Sequence, residues 1–434
     1  MSSFLRPASA DFPCDRDRYI PQLRFAPCEA AELFQRSALS WHDGQLDVGL
    51  QYAAAAVGVK CGEFHDPCEL APFWHIALLI KARKLEAGWR ALNSLEAGRG
   101  ESESQSVTAT SHIIRGELLF TMGRVDEGLA EVTAGLRIAE RCGARSLRPS
   151  GYVVMTLGAL RRADMRACRH FVDKLTDEAM LGYFGQAAGA WVTAQVAEAR
   201  SGVESAAGLI AGIVTNPQVL RQLLVSEPAA ASWLVRASGK LGAPDLAKAV
   251  VAAASAASAR HPQFSIIQGA ALHSAGLLEK DAGKLREAAD LYPDRWCTVS
   301  ALEDMAGLMA RRRSERKDVI GILESALGTY TAVGATRDVS RVVNKLRDFG
   351  VRHGAIRTVE RGSDLPHGLT NTEFAIAELV SQGHTNSEVG RQLFISRHTV
   401  AFHLKKVYQK MSIASRVELA ANWKALQSNA VSAF

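Results

Sequence analysis

The sequence has no long hydrophobic run, since polar residues interrupt every window of the roughly 18 or more residues that a membrane-spanning helix needs. Residues 1–11 lack the basic start and apolar stretch of a secretory signal. The seven cysteines are odd in number and form no Cys-x-x-Cys pair, so we expect reduced, mostly buried thiols. These absences predict a cytoplasmic protein without a membrane partner.

The sequence motifs of common catalytic and nucleotide-binding sites are also missing. There is no Gly-x-x-x-x-Gly-Lys-Ser/Thr phosphate loop, no His-Glu-x-x-His zinc motif and no Gly-x-Ser-x-Gly nucleophile elbow. The spacing Cys61-x-x-x-His65-x-x-Cys68 is one that zinc accepts, but the segment is more typical of a loop between helical hairpins. We therefore expect no enzyme, no catalytic residues, no metal and no cofactor.

The composition is that of a folded, mainly helical protein. Of the 434 residues, 47% are hydrophobic and 22% are charged, and a chain of this length is expected to form two or more domains. Alanine is abundant and β-branched runs are scarce, which favours helices over sheet. The net charge of +6 comes from the last third of the chain, as expected if that end meets a polyanion. A basic surface with a basic linker would produce the same charge.

Between about residues 27 and 350 the sequence repeats an apolar helix, a short turn and another apolar helix, at a spacing of about 40 residues. The segment from Gly44 to Leu50 resembles the segment from Gly123 to Leu129, and each is followed by a Cys-Gly pair. The pattern resembles tetratricopeptide-type repeats, although no copy carries the full Trp-Leu-Gly-Tyr signature. This resemblance implies an all-α solenoid of helical hairpins, with an irregular all-α domain as the alternative.

Four short helices follow at the C-terminal end, and three of them begin with a capping box. In such a box a hydroxyl accepts from a backbone N–H while a glutamate three residues later reaches back. The boxes are Thr370-x-x-Glu373, Thr385-x-x-Glu388 and Ser415-x-x-Glu418.

The third of these helices, predicted over Arg397–Met411, starts after Ser396 and carries apolar residues at spacings of 4, 3 and 4. Its stripe consists of Val400, Leu404, Val407 and Met411. Because only a tight turn separates this helix from the one before it, the pair predicts a helix-turn-helix whose second helix enters the major groove of DNA.

Residues 369–423 resemble, without a gap, the LuxR/NarL (GerE-type) DNA-binding domain. The matching segments are Leu369-Thr370-x-x-Glu373, Leu379-Val380-x-x-Gly383-x-Thr385-Asn386-x-Glu388-Val389, Leu393-Phe394-Ile395-Ser396-x-x-Thr399-Val400-x-x-His403-Leu404, Val407-Tyr408-x-Lys410-Met411 and Ser415-Arg416-x-Glu418-Leu419. The segment Glu324–Arg352 is similar to the last helical hairpin of large LuxR-type regulators that carry an ATPase module, which this chain lacks.

The resemblance implies double-stranded promoter DNA as a partner and a set of DNA-binding side chains. Arg397 and His398 join this set because they lie in the first turn, where base edges are closest. The full set is Thr385, Asn386, Arg397, His398, Thr399, Phe402, His403, Lys405, Lys406, Lys410 and Arg416. His403 is equally well explained as a structural histidine. Two positions depart from the family pattern, because Ala401 replaces a usual lysine and Ser412 replaces a usual glycine.

The last helix is predicted to expose Leu419, Ala420 and Trp423 and to pair two copies of the domain into a homodimer. The alternative is that Trp423 only covers the small core of its own domain.

We predict an N-terminal extension (residues 1–26), a helical-repeat sensor or interaction domain (27–351), a linker (352–368) and a helix-turn-helix domain (369–427). The expected protein is a LuxR-type transcription regulator whose solenoid receives a peptide, protein or small-molecule effector, with RNA polymerase as a further candidate partner. The alternative is an interaction scaffold whose helix-turn-helix is weak or accessory.

Overall fold

A computed structural model describes residues 28–59, 66–97, 104–177, 185–310, 315–351, 366–369, 371–393 and 396–430. The proposed N-terminal extension, most of the proposed linker, and Cys61, His65 and Thr370 lie outside these ranges. The described residues are almost entirely helical and contain no strand, which confirms the predicted all-α class. No helix among them is both long and apolar enough to span a bilayer.

The repeat region is formed by helices α1 to α18. In chain order their bounds are Glu29–His42, Leu46–Gly58, Asp66–Lys81, Leu85–Ala97, Gln105–Thr121, Val125–Arg141, Arg148–Arg161, Met165–Asp177, Gly185–Ser201, Ala207–Thr215, Pro217–Ser226, Ala230–Lys240, Pro244–Arg260, Ser265–Glu279, Ala282–Leu291, Arg295–Met309, Arg316–Ala332 and Thr336–Asp348. Consecutive helices pack against each other, and many also pack against the next helix but one. This is the architecture of a helical-hairpin solenoid, as the repeats predicted.

The turns inside the hairpins recur with the period of the sequence repeat. Residues with positive φ recur in these turns at intervals of about 40 residues, from Gly44 (φ 80°) through Gly123 (φ 89°) to Lys280 (φ 56°). The residues with this spacing are Gly44, Arg83, Gly123, Ala163, Gly202, Gly242 and Lys280, and the turn of the last hairpin carries Gly334 (φ 66°). A left-handed residue directs the chain back along the helix that it has just left, and glycine adopts that conformation with least strain.

Helices α5 and α6 approach each other closely at two glycines. A Cβ atom added at Gly116 would lie 2.6 Å from the carbonyl oxygen of Gly128 and 2.5 Å from Cγ2 of Val132. The reverse contact is equally tight, because a Cβ atom at Gly128 would lie 2.7 Å from the Gly116 oxygen. The two glycines therefore allow backbone to pack on backbone.

The solenoid winds tightly enough for distant hairpins to touch across its interior. Lys81 Nζ lies 2.6 Å from Glu227 Oε1, and Arg83 Nε lies 3.3 Å from Asp294 Oδ2, although these pairs are 146 and 211 residues apart in sequence. His261 Nε2 lies 2.5 Å from the carbonyl oxygen of Gly44, 217 residues earlier. The contacts of Lys81 and Arg83 border an internal cavity of about 570 Å³.

Glu303 links the last hairpin, α17 and α18, to helix α16. Its carboxylate accepts hydrogen bonds from Arg341 Nε and Nη2 (both 2.7 Å), Lys345 Nζ (2.8 Å) and the Tyr330 hydroxyl (3.0 Å), and the residue is 4% exposed. Burial alone would raise the pKa of Glu303, but Arg341 and Lys345 together hold it well below its ordinary value.

This lowered pKa predicts a stabilising contribution that depends on pH. A carboxyl group with a depressed folded-state pKa stabilises the fold above its unfolded pKa of about 4.3, and that contribution is lost as pH falls further. In melting curves recorded from pH 7 to pH 3, the Tm of Glu303→Gln at pH 7 should lie well below that of the unsubstituted protein. The difference should shrink as pH falls below about 4. A difference that stays constant over this range would contradict the assigned role of the carboxylate charge.

Candidate nucleic-acid interface

The C-terminal domain consists of α19 (Asn371–Ser381), α20 (Asn386–Gln392), α21 (Arg397–Met411) and α22 (Arg416–Ala430). Helix α19 packs across both α21 and α22, and α20 packs against α21. The apolar stripe predicted for α21 is confirmed, because all four of its residues are buried in the core of this domain.

The helix starts follow the predicted capping signals. Thr385 Oγ1 accepts from the Glu388 N–H at 3.3 Å, and the Thr385 N–H donates to Glu388 Oε2 at 2.7 Å. Ser396 Oγ accepts from the Thr399 N–H at 3.0 Å and so begins α21. At α22 the Ser415 hydroxyl accepts from the Glu418 N–H at 3.2 Å and donates to Glu418 Oε1 at 2.9 Å. The backbone N–H that donates to the Glu418 carboxylate is that of Ala414, at 2.9 Å.

The solvent face of α21 is basic and carries one large ring. His398, Phe402 and Lys405 are all exposed, and their spacing of 4 and 3 aligns them on one face of the helix. Phe402 is 58% exposed, and Lys406 Nζ lies 4.7 Å from the centre of its ring. No Asp or Glu occurs anywhere in α21. Arg397, in the first turn of α21, is also exposed.

Two of the predicted DNA-binding side chains have partners within the domain. Lys410 Nζ lies 2.6 Å from Glu373 Oε2 and 2.9 Å from the carbonyl oxygen of Gly368. The Arg416 guanidinium donates to the carbonyl oxygens of Val380 and His384 at the end of α19. These contacts hold α21 and α22 against α19, so both side chains have a structural role that the sequence reasoning did not assign.

The remaining predicted residues lie at the helix starts or at the edge of the exposed face. Thr385 and Thr399 take part in the capping contacts, with Thr399 Oγ1 2.8 Å from Ser396 Oγ. Asn386 is half-buried in the first turn of α20. His403 is half-buried, with its ring centre 5.7 Å from that of Phe402.

The predicted exposure of Leu419 and Trp423 is wrong. Leu419 is 0% exposed and Trp423 is 3% exposed, and the Trp423 ring packs 4.8 Å from that of Phe374 in the core. These side chains fill the space between α19 and α22, because four short helices provide too little other apolar surface. A large apolar side chain that is exposed on the described part of α22 is that of Val417, at 78%.

The two departures from the expected family pattern have different structural settings. Ser412 follows α21 with φ 54°, in the left-handed region where glycine is less strained. Ala401 is exposed on α21, so the missing lysine removes a charge from the surface without disturbing the core.

The helix-turn-helix domain docks against the middle of the solenoid. Ala375 of α19 and Leu393 after α20 belong to an apolar cluster with Leu160 and Cys168 of the solenoid. Arg169 forms an ion pair with Glu378 across the same contact. The docked surface lies on α19 and α20, so the basic face of α21 stays exposed. No local sequence signal marks this contact.

A short helix followed, after four residues, by a longer basic helix with an exposed face defines a helix-turn-helix DNA-binding domain. Residues 367–422 match the family described as "Bacterial regulatory proteins, luxR family". The C-terminal part of this chain is therefore a LuxR-type helix-turn-helix domain, which confirms the resemblance seen in the sequence.

The curated proteins that match are transcriptional regulators. An HTH-type transcriptional regulator of Mycobacterium bovis is 47% identical over 51 residues, which are 12% of this chain and 6% of that protein. The monoamine regulon transcriptional regulator of Klebsiella aerogenes is 31% identical over 128 residues, or 30% of this chain and 53% of that protein. LiaR of Bacillus subtilis is 39% identical over 57 residues, 13% of this chain and 27% of that protein. The chain thus spans only a part of each of these relatives.

Among solved structures, a Rap protein complexed with competence and sporulation factor aligns with 74% of this chain and 97% of its own. The sequence identity is 12% and the TM-score is 0.43. The TPR domain of P58(IPK) aligns with 87% of this chain and 99% of its own, with 15% identity and a TM-score of 0.22. The solenoid architecture rests on the hairpins described above and not on these alignments.

Proposed function

We propose that the protein is a cytoplasmic transcription regulator that binds double-stranded promoter DNA through α21. The exposed basic face of α21, in a domain that matches the luxR family, carries this proposal. A helix of this kind fits the major groove and brings the residues of its first turns nearest to the base edges. The proposed base contacts are made by Arg397, His398, Phe402 and Lys405, and Lys406 is placed to meet a phosphate.

We also propose that the protein acts as a homodimer on a palindromic site. Two-fold pairing of helix-turn-helix domains matches the symmetry of such a site. Since Leu419 and Trp423 are buried, the pairing surface on α22 would involve its solvent side around Val417. A contact with RNA polymerase stays a prediction. So do the DNA contacts of the other residues expected at the interface, which are Thr385, Asn386, Thr399, His403, Lys410 and Arg416.

The proposed function is tested by letting the purified protein select bound fragments from a random DNA library. A regulator should enrich one common site, and its affinity for that site should fall steeply as salt is raised, because bound phosphates release counterions. An interaction scaffold with an accessory helix-turn-helix would enrich no common site. That outcome would contradict the proposal.

Replacing Lys405 with Ala should weaken binding to the selected site by about 1–3 kcal/mol if the lysine reads a base. If it meets a phosphate, the loss should be similar on every sequence and the salt dependence should become shallower. Fluorescence anisotropy with labelled duplexes at several salt concentrations separates these results. Lys248→Ala, the same change at an exposed site on α13, is the control and should leave DNA affinity unchanged.

A further inference from the structure

The cavity inside the solenoid has the size and lining of a small-molecule site. Its volume of about 570 Å³ lies within the range of roughly 300–1,000 Å³ that is typical of such sites. The lining residues come from helices between α3 and α18, from Lys81 to Asp338, and they include several aromatic rings. The rings are those of Phe120, Trp191, Trp233, Tyr292 and Trp296.

Three of the cations that line this cavity are paired with carboxylates. Lys81 lies 2.7 Å from Glu117 and 2.6 Å from Glu227, and Arg83 lies 3.3 Å from Asp294. Arg236 forms an ion pair with Asp304, which also lies 2.8 Å from His273. These groups satisfy one another and leave little net charge for a ligand.

Arg161 is different, because within the described residues its guanidinium has aromatic neighbours and no ion pair or hydrogen bond. Its central carbon lies 4.2 Å from the ring centre of Phe120 and 3.7 Å from that of Trp296, and all three residues line the cavity. Stacked rings cover the flat faces of a guanidinium and leave its in-plane N–H groups as the part that can still bond. Burial lowers the pKa of Arg161 to about 10, so the group keeps its positive charge at neutral pH.

Two further donors line the same cavity from one helix. Trp191 Nε1 and Gln195 Nε2, one helical turn apart on α9, are buried and have no hydrogen-bond partner in the described part of the chain. A buried donor without an acceptor loses its hydrogen bonds to water without replacement, so this wall favours a molecule that brings oxygen acceptors.

We propose that this cavity binds a small-molecule carboxylate with an apolar body. Arg161 holds the carboxylate through its in-plane N–H groups, α9 supplies donors to further oxygens, and the aromatic rings cover the apolar part. A phosphate dianion fits less well, because Glu227, Asp294 and Asp338 also line the cavity. Arg295 and Arg337 line it too, Arg295 from an exposed position at the start of α16. The inference rests on the proposed function in one respect, because it treats this molecule as an effector of the transcription regulator.

The position of the cavity places such a ligand directly behind the docked DNA-binding domain. Leu160 lines the cavity and also belongs to the apolar cluster that holds Ala375 and Leu393. On α9, Gln195 lines the cavity and its neighbour Val196 belongs to that cluster. A ligand beside Arg161 therefore contacts the helices on which the helix-turn-helix domain rests.

Isothermal titration of the full chain, without DNA, with matched acids and amides tests the proposal. The probes are phenylacetate and indole-3-acetate, their neutral amides, and phenyl phosphate. We expect the acids to bind at least about tenfold more tightly than the amides and phenyl phosphate, because only a monoanionic carboxylate matches the unpaired guanidinium. Equal binding of acid and amide, tighter binding of phenyl phosphate, or no binding of either acid at millimolar concentration would overturn it.

Arg161→Gln should weaken binding of the acids by about tenfold or more, and Arg161→Lys should recover only part of the loss, since lysine lacks the planar fork. Arg286→Gln, at an exposed position on α15, is the matched control and should bind like the unsubstituted protein. Melting curves show whether each variant is folded. The comparison of acids with amides uses the unsubstituted protein and therefore does not depend on how the variants fold. Binding of acids by Arg161→Gln at full affinity would also overturn the proposal.

The DNA selection described above is independent of this titration. A protein that binds the acids but enriches no DNA site would support the cavity assignment and contradict the proposed function. A protein that enriches a DNA site but binds no acid would support the proposed function and contradict the cavity assignment.

Discussion

Replacing Lys81 with Met is expected to lower the free energy of unfolding by about 3–5 kcal/mol. Lys81 is 4% exposed, and its ammonium group lies between the carboxylates of Glu117 and Glu227, which are themselves 6% and 8% exposed. Burial alone would lower the pKa of Lys81, but the two carboxylates outweigh that effect and raise it above its ordinary value. The substitution would remove the ion-pair partner of the buried Glu117 carboxylate and leave Glu227 with the longer contact to Arg83 Nη2, at 3.8 Å.

Urea unfolding followed by circular dichroism measures this loss. Lys248→Met is the matched control, because that lysine pairs with Asp245 on an exposed helix surface, and such a pair contributes little to stability. The variant Lys81→Met/Glu117→Gln/Glu227→Gln removes the uncompensated charge and should recover part of the stability. If the single and triple variants were equally unstable, loss of packing and not unpaired charge would be the cause.

Replacing Gly116 with Ala should destabilise the solenoid by about 1–3 kcal/mol. The added Cβ atom would lie 2.6 Å from the Gly128 oxygen and 2.8 Å from the Val132 nitrogen. Because these are backbone atoms, no rotamer change relieves the clash, and α5 and α6 must move apart. The separation would also open the apolar contacts that the two helices share.

Gly321→Ala is the matched control for this prediction. Gly321 lies within α17, is exposed, and has no atom within 4 Å of an added Cβ. The same chemical change should therefore raise stability there by about 0.5–1 kcal/mol, through the higher helix propensity of alanine. Thermal melts of both variants show whether each substitution lowers or raises Tm. A Tm shift of the same sign in both variants would contradict the packing argument.

Local sequence patterns were enough to predict the secondary structure and the kind of DNA-binding domain. The apolar stripe of α21 is visible because one face of a helix repeats every three or four residues. The boxes at Thr385 and Ser415 are visible because a cap and its partner lie within one turn. The hairpin repeat is visible because left-handed turn residues recur at nearly the same spacing along most of the solenoid.

The roles of particular side chains depended on partners that are distant in sequence. Lys410 was predicted to meet DNA, but it also pairs with Glu373, 37 residues earlier. Trp423 was predicted to face a second copy, but Phe374 packs against it in the core. A residue's spacing shows which face of its helix it occupies and does not show whether another helix covers that face.

By itself the sequence determined an all-α chain with helical-hairpin repeats and a LuxR-type DNA-binding end. Only the tertiary structure decided where a ligand could bind and what supports the DNA-binding domain. Arg161 is an ordinary arginine at the end of a helix until folding brings Phe120 and Trp296, 41 and 135 residues away, against it. The physical reason is that a helix forms from contacts within a few residues, whereas a cavity forms from the way many helices pack.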